Sequence, residues 1–298
     1  MRILVTGGSG LVGAEVCARA TARGHEALAG FKSNTPTEGK PTPLDLSRPD
    51  VAQTVRNLNP ELVIHAGGLT DVDQCEEQPE LAERVNGIAT GEIAKAVRTL
   101  GAHLSYVSTD YVFDGELGNY DEAAHPNPIS QYGHSKLTGE RLVAQTGCSY
   151  CIARTSVIYG WGRSRKPNYA LYVVHALEGR REVRAAKDLY SSPTLNTNLA
   201  EMLLELATRQ LTGIFHVAGA TRTSRLEFAR ALASEFALDT KRIAPVNSRT
   251  LNLKAMRPRD SSLDVSKAMR TLSAKPLRLP EALRSFKETR PTQDQTRR

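Results

Sequence analysis

Short apolar runs alternate with longer amphipathic stretches through the first half of the chain. Ile3-Leu4-Val5, Ala27-Leu28-Ala29, Leu62-Val63-Ile64 and Leu104-Ser105-Tyr106-Val107 predict strands. Leu11 to Arg23, Val51 to Leu58 and Leu81 to Leu100 have the length and apolar spacing of helices. Strict alternation of the two implies right-handed crossovers and a parallel sheet with helices on both faces, an α/β doubly wound fold. A helix from about Ser130 to Gln145 and a strand at Cys151 to Arg154 extend the pattern.

After Gly160 the texture changes. Trp161 to Tyr169 is polar and carries Gly, Arg, Lys and Pro, which predicts a loop lying over a ligand. A helix at Asn198 to Arg209 and a strand at Ile214-Phe215-His216-Val217 return to the main sheet. Ser224 to Phe236 and Leu279 to Phe286 predict helices of a smaller C-terminal lobe. The expected organisation is a sheet domain over 1–160 rejoined by 196–220, a substrate-binding lobe from 161–195 and 221–287, and a disordered tail over 288–298.

Composition narrows the class. With 40% hydrophobic and 24% charged residues the chain reads as a globular protein, and no apolar run approaches the roughly 18 residues that span a bilayer. Met1-Arg2 leads directly into the first strand and leaves no room for a signal peptide, so a cytoplasmic protein is expected, with no membrane partner. Cys148 and Cys151 form a lone CxxC leading into a strand, and without a second pair they read as buried thiols. The seven histidines form no HxH or HxxxH pair, so no catalytic metal is expected. The net charge of +7 is spread along the chain rather than gathered into a patch. It suits phosphate-bearing small molecules and does not predict nucleic acid.

The glycine turn Thr6-Gly7-Gly8-Ser9-Gly10-Leu11-Val12-Gly13 follows the first strand and opens the first helix. Gly7 allows the tight turn, Gly10 lets backbone approach a pyrophosphate, and Gly13 lets helix and strand pack closely. The helix N-terminus then presents free N–H groups to the phosphates, the dinucleotide-binding or Rossmann arrangement. The second strand ends Ala29-Gly30-Phe31-Lys32-Ser33-Asn34, a run without the acid that accepts from the ribose 2′-hydroxyl of NAD. Lys32 and Ser33 can instead hold a 2′-phosphate and Phe31 can lie against the adenine, so NADPH is the expected cofactor.

Tyr132 and Lys136 stand four apart at the start of the helix after the Leu104 strand, so their heads can reach one ligand. An ammonium beside a phenol lowers its pKa, and a shift of about three units corresponds to about 4 kcal/mol. Tyr132 is the expected proton donor and Lys136 its electrostatic partner. Ser108-Thr109-Asp110 ends the Leu104 strand, where a hydroxyl can hold a substrate carbonyl. Thr109 is the first choice and Ser108 the alternative. Arg257 or Arg259 can contact a substrate diphosphate through a planar donor fork, or form a surface or interdomain ion pair.

Together with the run Ser108-Thr109-Asp110-Tyr111-Val112-Phe113-Asp114-Gly115, these motifs resemble the dTDP-4-dehydrorhamnose reductases of the extended short-chain dehydrogenase/reductase superfamily. Asp45-Leu46, His65-Ala66-Gly67-Gly68, Thr70 to Asp73, Glu76, Asn86, Arg154-Thr155-Ser156 and Arg257 to Asp264 are similar to family segments. The resemblance implies Thr109, Tyr132 and Lys136 as catalytic residues. It implies Gly10, Leu11, Val12, Gly13, Asp45, Leu46, Ala66, Gly67 and Gly68 as cofactor contacts, with Tyr132 and Lys136 also reaching the cofactor. Thr70, Thr109, Asp110, Val157 and Arg257 are the implied substrate contacts. Val157 departs from the aromatic residue common after Arg-Thr-Ser. The chain is also similar, over the same segments, to the regulatory β subunit of methionine adenosyltransferase. The implied activity is NADPH-dependent reduction of a nucleotide-activated 4-keto-6-deoxy sugar. A non-catalytic NADP-binding subunit, or an epimerase or dehydratase that retains NAD, are the alternatives, and a homodimer is compatible with each.

Overall fold

A computed structural model describes residues 1–162 and 168–291. The middle of the polar loop expected over a ligand, 163–167, and most of the expected disordered tail, 292–298, lie outside the described residues.

In chain order the elements begin β1 (Arg2–Thr6), α1 (Gly13–Ala22), β2 (Glu26–Phe31), β3 (Lys40–Pro43), α2 (Val51–Leu58) and β4 (Leu62–His65). There follow α3 (Val72–Glu77), α4 (Pro79–Ala82), a π-helical turn (Glu83–Ile88), α5 (Ala89–Leu100) and β5 (His103–Thr109). Next come α6 (Gln131–Thr146), β6 (Ser149–Thr155), β7 (Ile158–Tyr159), α7 (Tyr169–Glu178), β8 (Val183–Ala186), β9 (Tyr190–Ser191) and β10 (Thr194–Leu195). The chain continues with α8 (Asn196–Thr208), β11 (Gly213–His216), β12 (Thr223–Ser224), α9 (Arg225–Glu235), β13 (Ile243–Val246), α10 (Ser266–Thr271) and α11 (Leu279–Glu288).

Seven strands form one parallel sheet in the order β11-β6-β5-β4-β1-β2-β3, the doubly wound Rossmann fold. The period of two along each strand sends successive side chains to opposite faces. Ile3 and Val5 pack with Val16, Ala20, Leu199 and Leu203 on the face covered by α1 and α8. Leu4 packs with Val55, Ile93, Val97 and Val143 on the face covered by α2, α5 and α6. A separate apolar cluster joins α7, α9 and α11 through Val173, Phe228, Leu232, Leu283 and Phe286.

The expected strict alternation fails once. β3 pairs parallel with β2, Ala29 opposite Pro41 and Phe31 opposite Pro43, with no helix between the two strands. Lys40-Pro41-Thr42-Pro43 has two prolines and no apolar run, so its sequence does not read as a strand, and prolines are tolerated only at an edge. The N–H of Leu44 donates to Phe31 O at 2.7 Å, so at this edge the even positions turn toward β2 and the two prolines turn outward. The predicted helix from Leu81 is also divided, with six residues in π geometry before α5 begins.

Candidate active site

β1 and β4 are neighbours at the point where the strand order reverses, and ligands of open α/β sheets bind outside the carboxyl ends of such strands. Their terminal turns meet there. Gly7 has φ +67°, and a Cβ on it would come within 2.8 Å of Gly67 Cα, so the two turns pack backbone against backbone. A Cβ at Gly13 would stand 2.1 Å from Gly7 O, which only glycine avoids. The equivalent point at Gly10 meets Gly7 O alone, at 3.1 Å, and the outer side of the turn is open.

No side chain caps α1, whereas α3, α6, α7 and α9 are capped by Asp71, Ser130, Asn168 and Ser224. The N–H groups at Leu11, Val12 and Gly13 and the positive end of the α1 dipole therefore remain for an anion. Beside the turn, Ala66 is half-buried, Gly67 buried and Gly68 exposed, and a Cβ on Gly67 would meet Leu46 Cδ1 at 2.9 Å. Phe31, half-buried, ends β2, and Lys32 and Ser33 are exposed just beyond it.

A carboxylate does reach this corner. Lys32 Nζ lies 3.2 Å from Asp45 Oδ2 and donates to Ser47 Oγ at 3.3 Å. Burial pushes the Asp45 carboxyl up, but hydrogen bonds from Ser47 and Lys32 outweigh it and leave the pKa lowered. Asp45, implied as a cofactor contact by the resemblance, is absent from the run after β2 because β3 delivers it from the next segment of chain.

At the end of β5, Ser108, Thr109 and Asp110 are all buried. Ser108 donates to Glu140 Oε1 at 2.5 Å, and Glu140 is paired with the buried Arg154 at 2.6 Å. Thr109 stands differently. Its hydroxyl donates to Asp110 Oδ1 at 3.1 Å and accepts from the N–H of Tyr111, whose ring packs on Tyr132, and it opposes the rise in the Tyr132 pKa. Of the two alternatives, the fold brings Thr109 to Tyr132 and commits Ser108 to Glu140.

Ser130 caps α6 by accepting from the Gly133 N–H, which places Tyr132 and Lys136 one turn apart. Lys136 is buried, donates from Nζ to Val107 O at 2.8 Å and sits 4.2 Å from the centre of the Tyr106 ring. Burial lowers its pKa to about 7, against the attraction of Glu140. The expected lowering of the Tyr132 pKa by Lys136 is not what this arrangement gives. Burial dominates and pushes the phenol above its ordinary 10, with the Thr109 hydroxyl opposing it. Desolvation of the phenolate wins here because Lys136 is engaged with a carbonyl and is itself close to neutrality.

Asp110 accepts at Oδ2 from Ser156 at 2.7 Å and Ser261 at 2.5 Å, and burial raises its pKa. Val157 is half-buried beside it with φ +38°, a left-handed conformation strained for a β-branched residue. Thr70 is exposed at the end of the loop after β4. Arg257 does not present a free fork: it pairs with Asp73 at 2.9 Å and donates to Ala255 O. That is the ion-pair alternative. Arg259 is exposed.

Two residues without an assigned role in the sequence reading hold these pieces together. Asn86, buried in the π turn, donates to Leu69 O and Ser135 Oγ and accepts from the Leu69 N–H at 2.8 Å. π turns recur at functional sites, and this one differs from the flanking helix in hydrogen-bond register, which leaves no mark in composition. His65 bridges Thr6 Oγ1 at 2.6 Å and Thr90 Oγ1 at 2.9 Å. Thr90 donates onward to Asn86 O at 2.7 Å, so His65 Nε2 carries the proton and Nδ1 accepts from Thr6. Thr6 in turn accepts from the Gly67 N–H at 3.0 Å. This chain of bonds joins the glycine turn to the helix that carries Tyr132 and Lys136. Among the described residues no group of three or more His, Cys, Asp or Glu is placed to hold a metal ion.

A probable low-salt glycan biosynthesis reductase of Haloferax volcanii is 34% identical over 275 residues, covering 89% of this chain and 90% of that protein. The rat methionine adenosyltransferase 2 subunit beta is 28% identical over 274 residues, covering 89% of this chain and 81% of that protein. Among solved structures, a hypothetical dTDP-4-dehydrorhamnose reductase from Sulfolobus tokodaii superposes with a TM-score of 0.84 at 38% identity, covering 93% of this chain and 97% of that one. The dTDP-4-dehydrorhamnose reductase of Bacillus anthracis, solved in complex with NADP, gives a TM-score of 0.86 at 28% identity over 97% and 99% of the two chains. The family model described as RmlD substrate binding domain matches residues 1–290. The chain thus belongs to the RmlD substrate binding domain family, with the dTDP-4-dehydrorhamnose reductases that its Ser108 to Gly115 run resembles.

Proposed function

We propose that the protein is an NADPH-dependent reductase of a nucleotide-activated 4-keto-6-deoxy sugar. The observation that carries this reading is the gathering of Tyr132 and Thr109 about Tyr111 at the carboxyl edge of the sheet that also bears the open, uncapped glycine turn. The relatives named reductases and the NADP-bound neighbour support it.

The turn fits a dinucleotide diphosphate: its outer side is open at Gly10, and α1 offers unpaired N–H groups. When bound, NADPH supplies the hydride. Thr109 donates to the substrate carbonyl oxygen, and this bond strengthens as negative charge gathers there. Tyr132 delivers the proton to the same oxygen. A phenol held above its ordinary pKa stays protonated at neutral pH, the form a reductase needs before reaction. Lys136, with a pKa near 7, gains charge readily when an anion arrives, and then favours the tyrosinate that proton delivery leaves behind.

Incubation with NADPH and a dTDP-4-keto-6-deoxy sugar, followed by nicotinamide absorbance, tests the activity: oxidation is expected. Lys32 supports the choice of cofactor, since a 2′-phosphate can take its ammonium from Asp45. NADPH is expected to bind more tightly than NADH, and Lys32→Ala to narrow the difference, in titrations at one fixed salt concentration. Equal affinities in the unmutated protein would remove the assignment. The similarity to the methionine adenosyltransferase β subunit favours a second reading, an NADP-binding regulatory subunit. NADPH binding without oxidation by any nucleotide 4-keto sugar would select it.

A further inference from the structure

Four cations stand near the candidate site with their charges already engaged. Arg154 is paired with Glu140, Arg257 with Asp73 and Arg222 with Asp260, and Lys136 donates to a backbone carbonyl. Arg225 is different. Half-buried at the first position of α9, it lies with its guanidinium carbon 4.7 Å from the centre of the Tyr169 ring, and its charge acts on Tyr111. Tyr111 packs edge to face on Tyr132 with ring centres 5.9 Å apart. The Arg225 charge acts on Asp110, but both Asp110 oxygens are taken by the hydroxyls of Thr109, Ser156 and Ser261. Among the described residues no carboxylate forms an ion pair with Arg225.

The way the guanidinium is held decides what it can bind. Stacking on an aromatic face uses the plane of the group and none of its five N–H donors, which radiate from the edge. That edge is a fork of charged donors, the geometry that matches two oxygens of one phosphate. Its backbone is fixed as well: the Arg225 N–H donates to Leu189 O, and its carbonyl accepts from the Tyr169 hydroxyl at 3.2 Å. The Arg225 charge acts on Tyr111, and Tyr111 packs on Tyr132, so the fork stands near the group that meets the reacting carbonyl without touching it. A ligand with its anion outside the reacting ring suits this order, and a neutral sugar would leave the guanidinium unanswered.

We propose that Arg225, held against the Tyr169 ring, is the specificity-determining cation of this site and binds the diphosphate of a nucleoside diphosphate sugar. The inference rests on the sugar-nucleotide reading above, and assigns to Arg225 the contact the sequence suggested for Arg257.

Titration calorimetry with dTDP, UDP, dTMP and thymidine, on the full chain with NADP⁺ present, separates the two ideas. The unmutated protein is expected to bind one of the nucleoside diphosphates more tightly than the matching compounds with less phosphate. Arg225→Ala weakens that binding by about tenfold or more, the scale of a hydrogen bond to a charged group. Thymidine and NADP⁺ affinities stay unchanged. Arg225→Lys, which keeps the charge and loses the fork, recovers part of the loss and guards against a folding defect in the alanine variant. No binding of either nucleoside diphosphate to the unmutated protein would sink the sugar-nucleotide reading itself. Diphosphate binding that is equal in the unmutated protein and both variants would overturn the role of Arg225 alone. An equal loss for dTDP and thymidine would also overturn it, because the contact would then not be to phosphate.

Discussion

Tyr132 carries the sharpest expectation at the scale of single residues. Tyr132→Phe keeps the ring, and with it the packing on Tyr111, but deletes the proton donor. Turnover is expected to fall by about 10² or more, with NADPH affinity nearly intact. Loss of both together, seen by stopped-assay turnover beside a cofactor titration, would mark a structural role instead. Val157 makes a different point. A β-branched residue at φ +38° stores strain of about 1 to 3 kcal/mol, so Val157→Gly is expected to raise the midpoint of thermal unfolding despite losing a side chain. A lowered midpoint would show that its contacts outweigh the strain. The sequence made Tyr132, Lys136 and the glycine turn legible, because their spacing within one turn of chain already implies a shared face or a shared turn. It concealed Asp45 beside Lys32, Asp73 beside Arg257 and Arg225 beside Tyr111, because each pairing spans distant segments and has no local pattern.

Between elements, the junction of β5, β6 and α6 depends on one buried ion pair. Arg154 on β6 donates from Nε and Nη2 to the two oxygens of Glu140 on α6, and Ser108 on β5 adds a third bond. Such a pair need not stabilise relative to apolar residues, but breaking it leaves a buried charge. Arg154→Met is expected to cost about 3 to 5 kcal/mol in urea unfolding, and the double change with Glu140→Leu to recover much of that loss. A double variant no more stable than the single one would assign the cost to lost packing against Phe113, over whose ring the Arg154 guanidinium lies. Apolar periodicity found the long buried helices and strands, including α2 at its observed bounds. It missed β3 and the π turn. β3 is an edge strand held by backbone pairing alone, and the π turn differs from its neighbours by hydrogen-bond register rather than by composition.

At the scale of the whole molecule, three buried histidines set the response to acid. Burial lowers His65 to about 3, and His103 and His216 to about 4, from an ordinary 6.5. All three stay neutral in the folded chain while the unfolded chain takes up protons below 6.5. Their contribution is therefore complete above about pH 6.5 and is lost as pH falls toward their folded values, with a slope of up to about 4 kcal/mol per pH unit. Denaturation midpoints measured from pH 7 down to 5 should fall across that window, and a flat profile would contradict the buried neutral rings. Among the described residues no helix is long and apolar enough to cross a membrane. The outward-turned prolines of β3 have a consequence for how these molecules meet one another. A sheet edge recruits a neighbouring chain by offering it alternating donors and acceptors, and here Pro41 and Pro43 remove the donors from the outer row. Lys40 adds an exposed charge at the same margin. That side of the sheet is closed to growth by strand addition, and any self-association through it must use side chains instead of the ladder.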